Sequence, residues 1–322
     1  MIFTEVLAAV YGIQVCLYKT IKGKVINKYE VYTDTSGKKF FLKKYPQMIK
    51  SKVKLENINY ILAVNNELIE SGIITPKMIR TKDGSGGFIY NGNIYSLFEY
   101  IDIDSNCNEI DMHDAGLFLS KLHKVFLNIQ MKGYDTWSPT VFDEQYNKNA
   151  FGQFNEYLFK RDSFLLAEKQ YMEMKEEIDS YLINYHLYLN KVKKIQLIHG
   201  DLYPGNIIKV NGTMGIIDLD TMHYGNCIID YAVMSTRYFV DTERNEEILI
   251  NQYKKFKESY GSHWSASLVY ESIIYELLSQ IASMVINWRY MSRFNNCKRV
   301  MYYLCNRLKY FINSRDFFLN FL

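Results

Sequence analysis

Proline is scarce in this chain, at 4 of 322 residues, and cysteine nearly so, at 5. The low proline count speaks for a well-packed domain, and neither internal repeats nor a low-complexity linker interrupts it. The cysteines, Cys16, Cys107, Cys227, Cys297 and Cys305, form no Cys-x-x-Cys pair and show no metal-ligand spacing with histidine. An odd cysteine count behind an N-terminus without a basic leader is expected of reduced thiols in a cytoplasmic protein. An excess of one charge is also missing. The formal net charge of +3 is too small to imply nucleic acid or an anionic membrane as partner. Nor is there a long uncharged apolar run. The most apolar late stretch, SIIYELLSQIASMVINW, is broken by Glu276 and Gln280, which predicts a buried helix and no membrane span.

What is present is material for burial. Hydrophobic residues make up 48% and aromatics 16%, with 28 tyrosines, and 322 residues suffice for two cores. Residues 1–100 carry 14 Lys/Arg against 8 Asp/Glu, whereas the remainder carries 24 against 27. A basic first part suits a polyanion such as a nucleotide, and scattered surface lysines would produce the same count. The first hundred residues alternate as strands do. QVCLYKTIKGKVINKYEVYT reads as a hairpin turning near Lys22–Lys24, and KKFFLKKY after Ser36–Gly37 reads as another strand. Apolar residues at Val53, Leu55, Ile58, Ile61, Leu62, Leu68 and Ile69 recur at helical spacing, and the helix is expected to stop at Gly72. Two or three more strands are expected in 72–101. From Asp111 onward the pattern becomes helical, with a long charged amphipathic segment around 160–192 and three helices after 243. Strands first and helices later predict an α+β protein of two lobes: a β-rich lobe with one main helix at 1–100, and a larger helical lobe at 101–322.

Between the two patterns lies LIHGDLYPGN (197–206), an apolar strand broken by His-Gly-Asp, with Asn206 five residues after Asp201. Twelve residues beyond Asn206 a second apolar run, GIIDLD, ends on Asp218 and Asp220. Polar groups at strand ends usually face a cleft. An Asp and an Asn five apart, followed by an Asp on the next strand, is the set that phosphoryl transfer from Mg-ATP requires. One carboxylate takes the acceptor's hydroxyl proton, while an amide oxygen and a second carboxylate suit a hard, oxygen-binding cation. The spacing matches the protein-kinase catalytic loop, with His-Gly-Asp for His-Arg-Asp and Ile-Asp-Leu for Asp-Phe-Gly.

HGDLYPGN, IIDLD and IIDYA (228–232) resemble the aminoglycoside-phosphotransferase and choline-kinase-like superfamily, of protein-kinase-like fold. The resemblance extends through GLFLSKLH (116–123), FFLKKY (40–45) and SGIITPKMI (71–79), and covers roughly residues 10–240. FLKKYP, TKDG, YIDID and IDLD are most similar to the spore-coat kinases of the CotS type. The resemblance implies Asp201 as catalytic base and Asn206 and Asp218 as magnesium ligands. Lys43, or Lys44 one register away, would reach the α- and β-phosphates of ATP. Backbone atoms of Phe98–Ile101, Glu99 and Ile101 among them, would read the adenine, and Asp230 would brace the catalytic loop. The lysine's carboxylate partner is expected on the first long helix, at Glu56 or, less suitably placed, Glu67. His199 is expected to orient the loop backbone and His123 to pack beneath it. Asp220 either approaches a second metal or faces the wall of the cleft.

KDGSGG (82–87) lies between expected strands and not before a helix, so it reads as a turn and not as a phosphate loop. The first hairpin offers only Gly23 to cover phosphates. The expected acceptor is a small hydroxylated molecule such as an amino alcohol, sugar or aminoglycoside, held by 125–190 and the helices after 243. A surplus of acidic residues there slightly favours a cationic acceptor, with Asp143, Glu144, Asp162 and Glu173 as candidate contacts and solvated helix faces as their ordinary explanation. Two rival readings remain. One is an idle kinase fold serving in assembly, as spore-coat proteins would, which the intact Asp201, Asn206 and Asp218 disfavour. The other is a protein kinase, which the missing Ala-Pro-Glu and activation segment disfavour.

Overall fold

The computed structural model of the protein describes residues 3–22, 28–45, 54–104, 110–130, 140–239 and 246–321. Helix α1 (Thr4–Tyr11) precedes strands β1 (Val15–Lys22), β2 (Lys28–Asp34) and β3 (Lys39–Lys44). Helix α2 (Leu55–Glu70) and strands β4 (Phe88–Tyr90) and β5 (Asn93–Glu99) follow. Next come α3 (Met112–Asn128), α4 (Glu144–Phe159), α5 (Leu166–Glu173), α6 (Lys175–Ile183) and α7 (Tyr185–Lys191). Four short strands, β6 (Gln196–Ile198), β7 (Ile207–Val210), β8 (Thr213–Ile216) and β9 (His223–Gly225), lead to the last helices. These are α8 (Ile228–Phe239), α9 (Glu246–Tyr260), α10 (Ala266–Val285), α11 (Trp288–Met291), α12 (Asn295–Asn313) and α13 (Arg315–Phe321).

The chain forms two compact units. The first gathers Met1–Glu109, Lys124–Ser138 and Gly205–Met222; the second gathers Ile110–His123, Pro139–Pro204 and His223–Leu322. The architecture is α+β and bilobal, as the order of strand and helix patterns predicts.

In the first unit an antiparallel sheet runs in the order β1-β2-β3-β5-β4. Strand alternation divides β3 between two faces. Phe40 and Leu42 join Tyr32, Leu97, Tyr95, Phe88 and Leu7 of α1 in the core, while Phe41 and Lys43 point the other way. Helix α2 buries Ile58, Ile61, Leu62, Asn65 and Leu68, at helical spacing. It ends as its sequence predicts: Gly72 takes φ +70°, the Ile73 amide donates to the Leu68 carbonyl at 2.8 Å and the Gly72 amide to the Ile69 carbonyl at 3.0 Å. That is a Schellman stop, and only a residue tolerant of positive φ ends a helix so. Residues 73–84, expected to contain a strand, form only isolated bridges at Ile74 and Met78. Asn65 claims the backbone there, its carboxamide accepting from the Met78 amide and donating to the Pro76 carbonyl. KDGSGG forms a turn closed by the Thr81 amide on the Ser85 carbonyl. The turn of the first hairpin, with Gly23, lies outside the described residues.

The second unit is built around α10, whose residues from Val269 to Val285 are mostly buried and which packs on α4, α8, α12 and α13. No described helix is long and apolar enough to cross a membrane. The charged amphipathic segment expected around 160–192 forms three helices, α5, α6 and α7, broken at Met174 and Asn184. The fully buried Glu168 fixes the start of α5, because its carboxylate accepts from the Leu165 amide at 2.6 Å and from the Trp288 indole at 2.8 Å. After residue 243 there are five described helices where three were expected.

Candidate active site

Lys43 projects from the β3 face that carries Phe41. Its side chain is 7% exposed, and it lies opposite Ser96 of β5 in the ladder. An isolated ammonium so deeply buried would be costly, and two carboxylates remove the penalty. Nζ lies 2.6 Å from Oδ1 of Asp218 and 2.6 Å from Oδ1 of Asp220. Burial alone would lower the lysine's pKa, but the two aspartates outweigh it and hold the ammonium well above its ordinary value. Burial pushes Asp220 up to about 7, with Asp218 adding to the rise and Lys43 opposing it. Lys44, on the other face of β3, is exposed, so only Lys43 of the two is brought to the aspartates.

The β7–β8 hairpin carries the aspartates. Asn211 and Gly212, at φ +50° and +78°, make its two-residue turn. Ile207 pairs with Ile216, and the Ile217 amide donates to the Asn206 carbonyl at 2.9 Å. Asn206, 3% exposed, therefore sits at the same end of the hairpin as Asp218. Asp218 itself adopts φ +67°, a left-handed conformation that aspartate tolerates better than most residues, and often a mark of a working site. The hairpin is docked by two devices. The Ile216 amide donates to the Ile74 carbonyl at 2.8 Å, and the approach is so close that a Cβ on Gly215 would lie 2.3 Å from that oxygen. At the turn, the Asp104 carboxylate accepts from the amides of Asn211 and Gly212 at 3.1 and 2.9 Å. Asn206 and Asp218 offer oxygen donors of the kind Mg²⁺ takes, and the two carboxylates already converge on a cation, the Lys43 ammonium. The residues present fit a hard divalent ion.

In the second unit β6 ends at Ile198, and the chain turns through His199, Gly200 and Asp201. Gly200 takes φ +79°, a bend that admits glycine at little cost. The fully buried Asp230, at the start of α8, accepts from the His199 amide at 2.8 Å and from the Gly200 amide at 2.7 Å. His123 of α3 adds a third contact through Nε2 at 3.2 Å, and its Nδ1 meets the Tyr260 hydroxyl at 3.0 Å. Burial opposes ionisation of Asp230, but His123 and the loop amides overcome it and hold the carboxyl below its ordinary range. Tyr260 is held well above its usual pKa by burial first and then by Cys227 and Asp230, so its hydroxyl stays protonated beside His123. Past the bend, the Asp201 amide donates to Nδ1 of His199 at 3.3 Å and the Asp201 carbonyl accepts from the Tyr203 amide at 3.0 Å. The Asp201 carboxylate is partly exposed on a backbone pinned from three sides.

The remaining candidates lie elsewhere. Glu56 and Glu67 are both exposed on α2, and among the described residues the carboxylates that meet Lys43 are Asp218 and Asp220. At the end of β5 the Glu99 amide donates to the Lys77 carbonyl at 2.8 Å and the Tyr100 amide to the Lys39 carbonyl at 2.9 Å. Glu99 forms an ion pair with Lys38, while the Ile101 amide makes no hydrogen bond among the described residues. Phe41 and Phe98 stack with centroids 4.9 Å apart on the face that bears Lys43. Three of the four proposed cation contacts are engaged: Glu144 with Lys148 at 2.7 Å, Glu173 with Lys309 at 2.6 Å, and Asp143 with the Thr140 amide at 2.7 Å. Asp162 is exposed. Sequence reasoning missed the tie from Asp104 to the hairpin and the contact of Tyr260 with His123. Separations of 107 and 137 residues leave no local signal for either.

A sequence model of a phosphotransferase enzyme family matches residues 18–266. No curated protein sequence matches the chain. Among solved structures, a spectinomycin phosphotransferase in complex with ADP and spectinomycin is 16% identical, with 96% of this chain and 93% of that one covered and a TM-score of 0.64. A microcompartment-associated aminopropanol kinase is 13% identical, with 99% and 98% covered and a TM-score of 0.66. The choline kinase LicA from Streptococcus pneumoniae is 14% identical, with 97% of each chain covered and a TM-score of 0.62. At such identities the likeness is one of fold.

Proposed function

This chain belongs to the phosphotransferase enzyme family, and on that premise we propose that it transfers the γ-phosphoryl group of Mg-ATP to a hydroxyl of a small molecule. The observation that carries this reading is the buried Lys43, brought from β3 onto Asp218 and Asp220 at the end of β8. A lysine so placed offers phosphates a fixed positive charge. Asn206 and Asp218 would hold magnesium, which when bound neutralises phosphate charge and orients the γ-phosphoryl group.

Asp201 is proposed as the base. Its carboxylate takes the proton of the acceptor hydroxyl as the new O–P bond forms and the bond to ADP breaks. The loop amides fixed by Asp230 hold it in place, so little reorganisation accompanies transfer. The purine is proposed to lie on the Phe41–Phe98 face, read by backbone groups at Glu99 and Ile101. The acceptor falls to the second, helical unit. Spectinomycin, choline and aminopropanol, named with three neighbours of this fold, all carry a hydroxyl together with a nitrogen, which supports an amine-bearing alcohol or sugar here too. All three of Asp201, Asn206 and Asp218 are retained, which supports an active enzyme over an idle coat component.

Acceptor-dependent ADP release across a panel of amino alcohols, amino sugars and aminoglycosides, with and without magnesium, tests the reading. Release that needs both magnesium and one class of acceptor is expected. ADP release indifferent to every acceptor would overturn the proposal.

A further inference from the structure

Lys43 poses a problem that the resemblance does not answer. A lysine in its position is expected to be steadied by a glutamate of the first long helix, yet between Asp34 and Asp83 the only carboxylates are Glu56, Glu67 and Glu70. All three are exposed. The buried face of α2 carries Asn57, Ile58, Ile61, Leu62, Val64, Asn65 and Leu68, with no acid among them. We infer that Asp220 is the positioning residue of Lys43: it replaces the helix glutamate, holding the ammonium in register for the phosphates while Asp218 serves the metal. The inference rests on the kinase reading for what the lysine does, but not for the pairing itself.

The two carboxylates around Lys43 are not equivalent. Asp218 is 39% exposed and Asp220 20% exposed at the side chain, so the former is the more open to a divalent ion. Asp218 also sits in the left-handed turn that ends β8, next to the residue whose amide is bonded to the Asn206 carbonyl. Asp220 belongs to the short 3-10 turn Leu219–Thr221 and points back at Nζ from 2.6 Å. Once Asp218 contributes its charge to a metal, a lysine 7% exposed would be left as an under-compensated buried cation, and such a charge is strongly disfavoured. Asp220 prevents this. It keeps the lysine neutralised whether or not the metal is present, which no exposed glutamate on α2 is placed to do. The tyrosine ring of Tyr45, 5.2 Å from Nζ, supplies a further wall but no charge.

Two cycles of variants decide the matter. The first uses urea unfolding of the nucleotide-free protein with Lys43→Met, Asp220→Asn and the double variant, so it needs no kinase activity. The double variant should lose less stability than the two single losses added together, because each single change strands a buried partner. Strict additivity would overturn the pairing.

The second measures Mg-ATP affinity in the same variants. Asp220→Asn and Lys43→Met should each weaken binding about 10-fold or more, the worth of one charge-assisted contact. Their combination should be no weaker than Lys43→Met alone, and Asp220→Glu should recover most of the loss. The magnesium concentration for half-saturation should shift in Asp218→Ala and stay put in Asp220→Asn. If Asp220→Asn shifts the magnesium requirement, or adds its loss in full to that of Lys43→Met, Asp220 is a metal ligand and the inference fails. A wild-type protein that binds no Mg-ATP would sink the kinase reading, and the unfolding cycle would still judge the pair.

Discussion

Asp230 carries three hydrogen bonds on two oxygens with no solvent contact. Asp230→Asn would turn an amide nitrogen toward a donor that now has an acceptor, at a cost of about 1–3 kcal/mol. The pH behaviour follows from the sign of the shift. The folded carboxyl lies below its ordinary value, so the stability it contributes is present above the unfolded pKa and is lost as pH falls through the folded one. Urea unfolding from about pH 7 down to about pH 3 should show wild type losing its advantage over Asp230→Asn in the acid part of the range. A constant difference would contradict the assignment. Phe41 makes a second case. If the purine rests on its ring, Phe41→Ala should raise the KM for ATP roughly 5–150-fold, the worth of one stacking contact, with kcat nearly unchanged; an unaltered KM would move the purine elsewhere. At this scale the bend at His199–Asp201, held by Asp230, was legible because His199, Asp201 and Asn206 lie within eight residues of one another. The partner of Lys43 was not legible, being 177 residues away on a different hairpin.

Among the elements, the β7–β8 hairpin bears Asn206 and Asp218 at one end, and its position depends on contact with residues that form no strand. Segment 73–76 meets β8 through one bridge at Gly215. Its apolar letters predict a strand, but the carboxamide of Asn65 and Pro76 take the backbone groups that a ladder would use. Gly215→Ala should therefore displace the hairpin and cost about 1–3 kcal/mol, the usual price of overpacking. Thermal unfolding would read the loss of stability, and Mg-ATP affinity should fall with it because Asn206 and Asp218 move together. A variant with unchanged melting and affinity would show that the close approach matters little. Helix α2 was legible to its last turn, since its period and Gly72 agree. The break of 160–192 into α5, α6 and α7 was not. The chain leaves the helix at Met174 and again at Asn184, whereas the contact of Glu168 with Trp288, 120 residues later, fixes only where α5 starts.

Over the whole molecule, strands followed by helices were enough to foresee two lobes, yet chain order hides which residues each compact unit contains. Gly205–Met222 joins the first unit although Pro139–Pro204 of the second unit runs directly before it in the chain, because Ile74 and Asp104 hold its hairpin there. Asp201 and Asn206 consequently belong to different units on one continuous stretch of chain. The acceptor was least legible. Glu144, Glu173 and Asp143 carry suitable charge in the sequence, and each is spent on a partner in its own unit. The proposed reaction moves a phosphoryl group from ATP to a small hydroxyl with Asp201 as base. Its most direct test is transfer from γ-labelled ATP to a working acceptor by wild type and Asp201→Asn, with Mg-ATP affinity measured alongside. A loss of transfer on the order of 10²–10⁴-fold is expected, with nucleotide affinity nearly unchanged. Near-normal transfer by the variant would contradict it.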